Sequence, residues 1–272
     1  MNSLTQSKKT TILPLLMAAA LACFGLSPDA RANPGEDRGN GNSAAEHVNA
    51  LNLGTTGSNN TGHGWFSLFS NIAGSANTAD GFRALYSNTS GFRNTAVGAF
   101  ALNNNDSTNR AFGSLNTAVG SFALYTNTDG EDNTAVGDDA LGQNTVGTQN
   151  TAVGVSALSN NQTGFGNVAV GDDALLGNVG ADNNVAVGIV AAVNATGGAN
   201  TAVGTAAGGG PHGITTGVDN VVLGAFSGEH IGAGNENIYL GTSVDPGSTE
   251  SGTIRIGDSS PPAVGLRLPA VL

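Results

Sequence analysis

Apolar and polar positions return on a fixed beat along most of this chain. The phrase Asn-Thr-Ala-Val-Gly recurs, with units beginning at Asn60, Asn77, Asn94, Asn116, Asn133, Asn150, Asn167, Asn184, Asn200, Asn220 and Asn237, most of them 17 residues apart. A repeat at fixed period marks an architecture in which each unit buries its apolar side only against its neighbours. The exceptional spacings, 22, 16 and 20 residues, include extra residues near 104–109 and 208–211, and such insertions belong in loops at one edge of a coil.

Within a unit the second and fourth residues share one face of a short strand and the third takes the other. Val, Ile or Leu fills the fourth position in nine units, including Val97, Val119, Val136, Val153, Val170, Val187 and Val203. These bulky residues, with the Thr at the second position, are read as pointing into the coil. The Ala between them, such as Ala96 or Ala152, is then outward, small and apolar, fit for contact between chains. All eleven units carry Gly at the fifth position, among them Gly98, Gly120, Gly137, Gly154, Gly171, Gly188 and Gly204. One glycine per coil predicts a corner where φ is positive or two backbones approach closely. Six units from Asn77 to Asn167 then carry Ala-Leu, as in Ala101-Leu102 and Ala157-Leu158, before turns rich in Asn, Thr and Gly. Helical solenoids repeat at about 33 residues or more, and a helix tolerates this Gly and Asn content poorly. The prediction is an all-β parallel β-solenoid of about eleven rungs, a rod on the order of 50 Å long at ~4.8 Å per rung.

Units such as Asn94-Thr95-Ala96-Val97-Gly98, Asn133 to Gly137 and Asn200 to Gly204 resemble the head repeats of trimeric autotransporter adhesins, the YadA-like head. The resemblance covers roughly 60–257, through Asn237-Ile238-Tyr239-Leu240-Gly241 and Thr253-Ile254-Arg255-Ile256-Gly257. It implies a left-handed parallel β-roll, three chains packed side by side as a homotrimer, and attachment at a cell surface, with matrix proteins such as collagen as partners. Family members usually continue into a coiled-coil stalk and an anchor of amphipathic strands. After 257 no heptad run or aromatic-ended strand follows, so anchoring by this chain itself is not expected, and a separate anchor protein is the implied partner.

Composition narrows the classes further. Of 272 residues 42 are Gly and 32 are Asn, while 5% are aromatic and 11% charged, too little bulk for a conventional deep-cored enzyme domain. A thin core per coil predicts further apolar burial between chains. Residues 1–32 read as a signal peptide: Lys8 and Lys9 at the charged end, an apolar stretch from Ile12 to Leu26, and Ala30-Arg31-Ala32 as the small-x-small cleavage pattern. Lipidation at Cys23 is the rival reading. Segment 33–59 is then a leader or cap, 60–257 the repeat domain and 258–272 a tail, with the protein secreted or at the cell surface. The exported chain keeps six arginines against 19 acidic residues, a net charge of −13, which argues against nucleic acid as a partner, and it keeps no cysteine for disulfides or zinc thiolates.

Signatures of chemistry are sparse. The Gly-x-Gly fragments at Gly62, Gly164 and Gly232 lack the third glycine of a dinucleotide loop, and His47, His63, His212 and His230 show no metal-ligand spacing. Val97-Gly98-Ala99-Phe100-Ala101-Leu102 resembles an acyltransferase hexapeptide, but it occurs once per unit rather than three times per coil. Asp138-Asp139 and Asp172-Asp173 occupy one position in units two apart, a conceivable calcium site that more simply solvates a face. The Thr column resembles that of ice-binding solenoids, except that it is read as inward. Trp65, Phe66, Leu68 and Phe69 are read as capping the first rung. No catalytic, cofactor or metal residue is assigned and no ligand-binding residue is read. The expectation is an exported, non-enzymatic, adhesin-head-like homotrimer that attaches by repeated weak contacts, or alternatively a structural spacer or display module.

Overall fold

The computed structural model describes residues 40–44, 50–51, 54–106, 113–210, 212–246 and 249–257. The leader 1–32 with Cys23, and the tail 258–272, lie outside the described residues. The strands are β1 (Ser43–Ala44), β2 (Thr61–His63), β3 (Thr78–Asp80), β4 (Thr95–Val97), β5 (Thr117–Val119), β6 (Thr134–Val136), β7 (Thr151–Val153), β8 (Val168–Val170), β9 (Val185–Val187), β10 (Thr201–Val203), β11 (Val221–Leu223), β12 (Ile238–Leu240) and β13 (Ile254–Ile256). They pair in chain order as one parallel sheet, and among the described residues there is no helix. The protein is a parallel β-solenoid of about 12 turns. Successive units pair without stagger, as in Ala118 with Ala135 and Ala135 with Ala152, so each repeat position forms a column along the rod. The sheet begins inside segment 33–59, where Asn42 Oδ1 accepts the backbone N–H of Asn60 (2.8 Å).

The two strand faces are the reverse of the expectation from side-chain bulk. Ala96, Ala118, Ala135, Ala152, Ala169, Ala186 and Ala202 are fully buried, whereas Val97, Val119, Val136, Val153, Val170, Val187 and Val203 lie on the outer face, each 36–39% exposed. The reason is the width of the coil. A Cβ built at Gly62, which holds the Ala position in β2, would already stand 3.1 Å from Ser67 Oγ and 3.6 Å from Leu51 Cβ. A methyl group therefore fills that space and an isopropyl group does not. The second-position Thr shares the outward face and is only part-buried in β4 to β7.

Beyond each strand from β2 to β13 the chain turns at the expected glycine. In the central coil Gly137 has φ 141°, and an added Cβ would lie 2.6 Å from the backbone carbon of Gly154 one coil on. Among the described residues no second strand follows the corner. A run of turns carries Ala and Leu inward, and the Leu column (Leu68, Leu85, Leu102, Leu124, Leu141, Leu158, Leu175) is fully buried with φ between 50 and 53°. Left-handed backbone costs a bulky residue about 1–2 kcal/mol. Burial and coil-to-coil hydrogen bonds, such as Leu141 N–H to Ala157 O (3.0 Å), offset that cost.

The remainder of the interior is polar. The first Asn of every unit is buried, and a second buried column runs through Asn71, Asn88, Asn105, Asn127, Asn144, Asn161 and Asn178. In the first column Asn150 N–H and Nδ2–H donate to Asn133 Oδ1 (3.0 and 3.2 Å), and Nδ2–H also donates to Gly164 O (2.8 Å). Asn150 Oδ1 in turn accepts from Asn167. In the second column Asn144 Nδ2–H donates to Asn127 Oδ1 (2.8 Å) and to Gly147 O (3.0 Å). Gly147 O thus receives both amides of its coil, since Asn133 Nδ2–H reaches it too (2.8 Å). Buried amides satisfied in this way stabilise the coil stack, whereas an orphaned one would cost about 1–3 kcal/mol. The 16-residue coil from Asn184 departs from the pattern: Ala195 takes the second-column place and Asn184 Nδ2 has no hydrogen-bond partner.

Toward the C-terminal end the filling changes. Gly208 and Gly228 replace the buried Leu, and Ile214 and Ile231 replace the second-column Asn, with their Cδ1 atoms 2.7 and 2.6 Å from where the glycine Cβ atoms would be. One aliphatic side chain has moved across the lumen. At the Ala position the series continues Val222, Tyr239, Arg255, so side chains grow toward β13. Tyr239 O–H donates to Glu250 Oε1 (2.8 Å), while Arg255 Nε and Nη2 donate to Glu250 Oε1 and Oε2 (2.5 and 2.7 Å). Burial, reinforced by the hydrogen bond to Glu250, pushes the Tyr239 phenol well above its ordinary range.

Candidate functional site

With the lumen filled by Ala, Leu and Asn, the candidate surfaces are the outer faces. The sheet face carries two columns. From β4 to β13 the fourth-position column is aliphatic throughout, Val97 to Val203 and then Leu223, Leu240 and Ile256. The second-position column is Thr from β2 to β7 and again in β10, with Val168, Val185, Val221, Ile238 and Ile254 at the other later positions. No charged residue interrupts either column between Thr95 and Ile256. This outward Thr column removes the inward argument against an ice-binding face. Aliphatic residues at most of its positions from Val168 onward interrupt any regular hydroxyl lattice.

The turn face carries a second feature, which the sequence reading caught only at its first member. Phe66, Phe69, Phe82, Tyr86, Phe100, Phe122 and Tyr125 form one continuous cluster with ring centroids 5.0–6.5 Å apart. The Arg83 guanidinium lies 4.9 Å from the Tyr86 centroid and 5.6 Å from that of Phe82. The capping assignment for Trp65, Phe66, Leu68 and Phe69 does not hold. A coil precedes them, Leu68 belongs to the buried Leu column, and Trp65 is 55% exposed on the side of the rod. The missed signal was periodic: Phe69 and Tyr86 stand 17 residues apart, and Phe100 and Phe122 are separated by the long 22-residue unit.

The remaining candidates are dispersed. Asp138 and Asp172 are exposed, and Asp139 accepts a hydrogen bond from Ser159 Oγ (2.6 Å). His230 Nδ1 lies 2.8 Å from Asp245 Oδ2, and its ring stacks on His212 with centroids 5.6 Å apart. His63 is exposed on the sheet face and His47 lies outside the described residues. No group of three His, Cys, Asp or Glu among the described residues is placed to hold a metal ion. At the start of the long insertion Asp106 does structural work: its Oδ2 accepts from Thr89 Oγ1, Ser90 N–H and Oγ, and Gly91 N–H (2.7–2.9 Å). In regular coils the next coil's backbone carbonyl takes that role, as Thr145 O does for the N–H groups of Thr128 and Asp129.

The chain matches no protein-family model and no curated protein.

Proposed function

We propose that this protein is an exported, non-catalytic, adhesin-head-like rod that assembles as a side-by-side homotrimer and attaches to surfaces through repeated weak contacts. The observation that carries the reading is the uninterrupted aliphatic column on the sheet face. Ten coils present Val, Leu or Ile at one position, in register and without charge, over about 43 Å at ~4.8 Å per coil. A contiguous exposed apolar strip of that length marks an association surface. A second copy fits it because every copy offers the same columns at the same pitch. Three copies with their sheets toward a common axis would bury the strip and leave the turn faces outward. The residues between chains would then be Val and Thr, not the Ala first expected there. The YadA-like repeats support the same arrangement, and three identical rods multiply any weak contact on their outer faces into avidity. The signal-like leader supports export. Solution mass together with binding to immobilised collagen, fibronectin and host cells tests the reading. A trimer that attaches supports it, a trimer that attaches to none of them leaves a structural spacer, and a monomer refutes the assembly.

A further inference from the structure

Resting on that attachment reading, we propose that the aromatic turn face of the coils beginning at Asn60, Asn77, Asn94 and Asn116 is the contact site, and that its ligand is an uncharged carbohydrate chain of pyranose rings. Aromatic residues are scarce in this chain, yet the single Trp, five of the ten Phe and two of the three Tyr gather on this one face. Their packing is already complete. Rings held edge-to-face and stacked on one another lose little freedom on binding, which favours recognition of a flat apolar ligand face. Trp65, Phe69, Phe82 and Phe122 remain 39–55% exposed, so the cluster is a platform rather than a core.

Charge selects the ligand class. At the platform positions of these four coils there is no carboxylate, and Asp138 and Asp139 take those positions only in the next coil. The one cation, Arg83, has its Nε buried without a hydrogen-bond partner and its guanidinium laid over two rings, where it adds to the flat surface. Around the rings stand neutral hydrogen-bonding groups, including Ser70, Ser87, Asn104, Ser121 and Thr126 and the part-exposed Tyr86 and Tyr125. A pyranose presents this combination in complement: an apolar C–H face for a ring and hydroxyls at its edge. A polyanion is disfavoured by the acidity of the rod as a whole, and a protein segment would find no carboxylate here to pair with its cations. The rows also advance one coil per ring, a step comparable with one sugar in an extended chain, so successive sugars can meet successive rings.

The only Trp of the chain is a built-in reporter. Cellohexaose and chitohexaose are titrated while Trp65 emission is read, and depletion of the protein by microcrystalline cellulose, chitin and immobilised hyaluronate is measured alongside. Binding of a neutral glycan with a shift in Trp65 emission is expected. Phe82→Ala should weaken binding about tenfold, the loss of one stacking contact. Trp65→Ala, which removes a side chain outside the ring cluster, should weaken depletion similarly with an unchanged thermal midpoint. Binding to none of these glycans, equal binding by Trp65→Ala, or binding to hyaluronate alone that salt abolishes would overturn the assignment. Attachment to host cells measured on the same variants separates the two readings. Wild-type protein that attaches but ignores glycans sinks this inference alone, and protein that attaches to nothing sinks the attachment reading beneath it.

Discussion

Asn150 Oδ1 accepts the backbone N–H of Asn167, 17 residues on, at 3.0 Å. The same bond joins each first-position Asn to the next from Asn42 to Asn237, so the lumen carries a continuous polar ladder beside its column of Leu. A thin coil that buries one Leu and two Ala per turn depends on that ladder to fix its register. Apolar contacts alone would allow one coil to slide on the next.

Replacing Asn150 with Leu keeps the side chain's branching and heavy-atom count and removes one rung of the ladder. The Asn167 N–H would be left buried and unpaired, and Gly164 O would keep only the Asn161 amide, so stability should fall by about 1–3 kcal/mol. Thr151→Ala on the outer face should stay within about 0.5 kcal/mol in the isolated chain. Denaturant unfolding of the two variants checks the contrast, and equal midpoints would contradict the ladder's role.

The glycine corner makes a second test. Gly137→Ala combines φ 141° with a carbon 2.6 Å from the new methyl, whereas Gly210→Ala has φ 79° and nothing within 4 Å. Both substitutions strain the backbone, but only the first also clashes. The thermal midpoint should fall much further for Gly137→Ala than for Gly210→Ala.

The Tyr239–Glu250–Arg255 cluster predicts a pH dependence. Tyr239 has its folded pKa raised above the ordinary value of 10.0 by burial first and by its hydrogen bond to Glu250 second. Above that ordinary value the unfolded chain releases the phenolic proton while the folded one retains it. The stabilisation is full below pH 10.0 and is lost as pH rises toward the raised folded value. Thermal midpoints should decline above about pH 10 in the wild type and decline less in Tyr239→Phe, which cannot ionise there.

The interior position makes a fourth prediction. Ala152→Leu overfills the lumen and should cost about 1–3 kcal/mol or more, because the sites facing it have no room to yield. Val153→Asp should leave the isolated coil folded, since that side chain points to solvent. A larger loss of stability in Val153→Asp, measured at concentrations where the chain is monomeric, would reverse the assignment of the two faces.

Period, strand position and corner glycines were all legible in the sequence, because the 17-residue spacing is a property of residue order alone. Which face of a three-residue strand turns inward was not. Bulk argued for Val153 inside, but lumen width decides, and width emerges only once Ala157, Leu158 and Asn161 are stacked opposite. The sign was present in another form: the fourth position takes His63 and Asp80 in the first two units, polar groups that belong on a surface column, while the third holds Ala in eight of eleven units. The Asn ladder was likewise visible as an unvaried first position, yet Asn is so strongly associated with turns that its burial was hidden. The aromatic platform escaped because its rings alternate between neighbouring positions of successive coils, as Phe82 does with Phe100, and only folding brings them together.

Solution mass by light scattering, on the wild type and on the double variant Val136→Asp with Val170→Asp, tests the central claim most directly. The two sites lie on the outer sheet face two coils apart, so the isolated solenoid should tolerate both. The account predicts three times the chain mass for the wild type and a single-chain mass for the variant, with the same circular dichroism spectrum. A monomeric wild type, or a variant that still assembles as a trimer, would contradict the proposal that the aliphatic sheet face joins the copies.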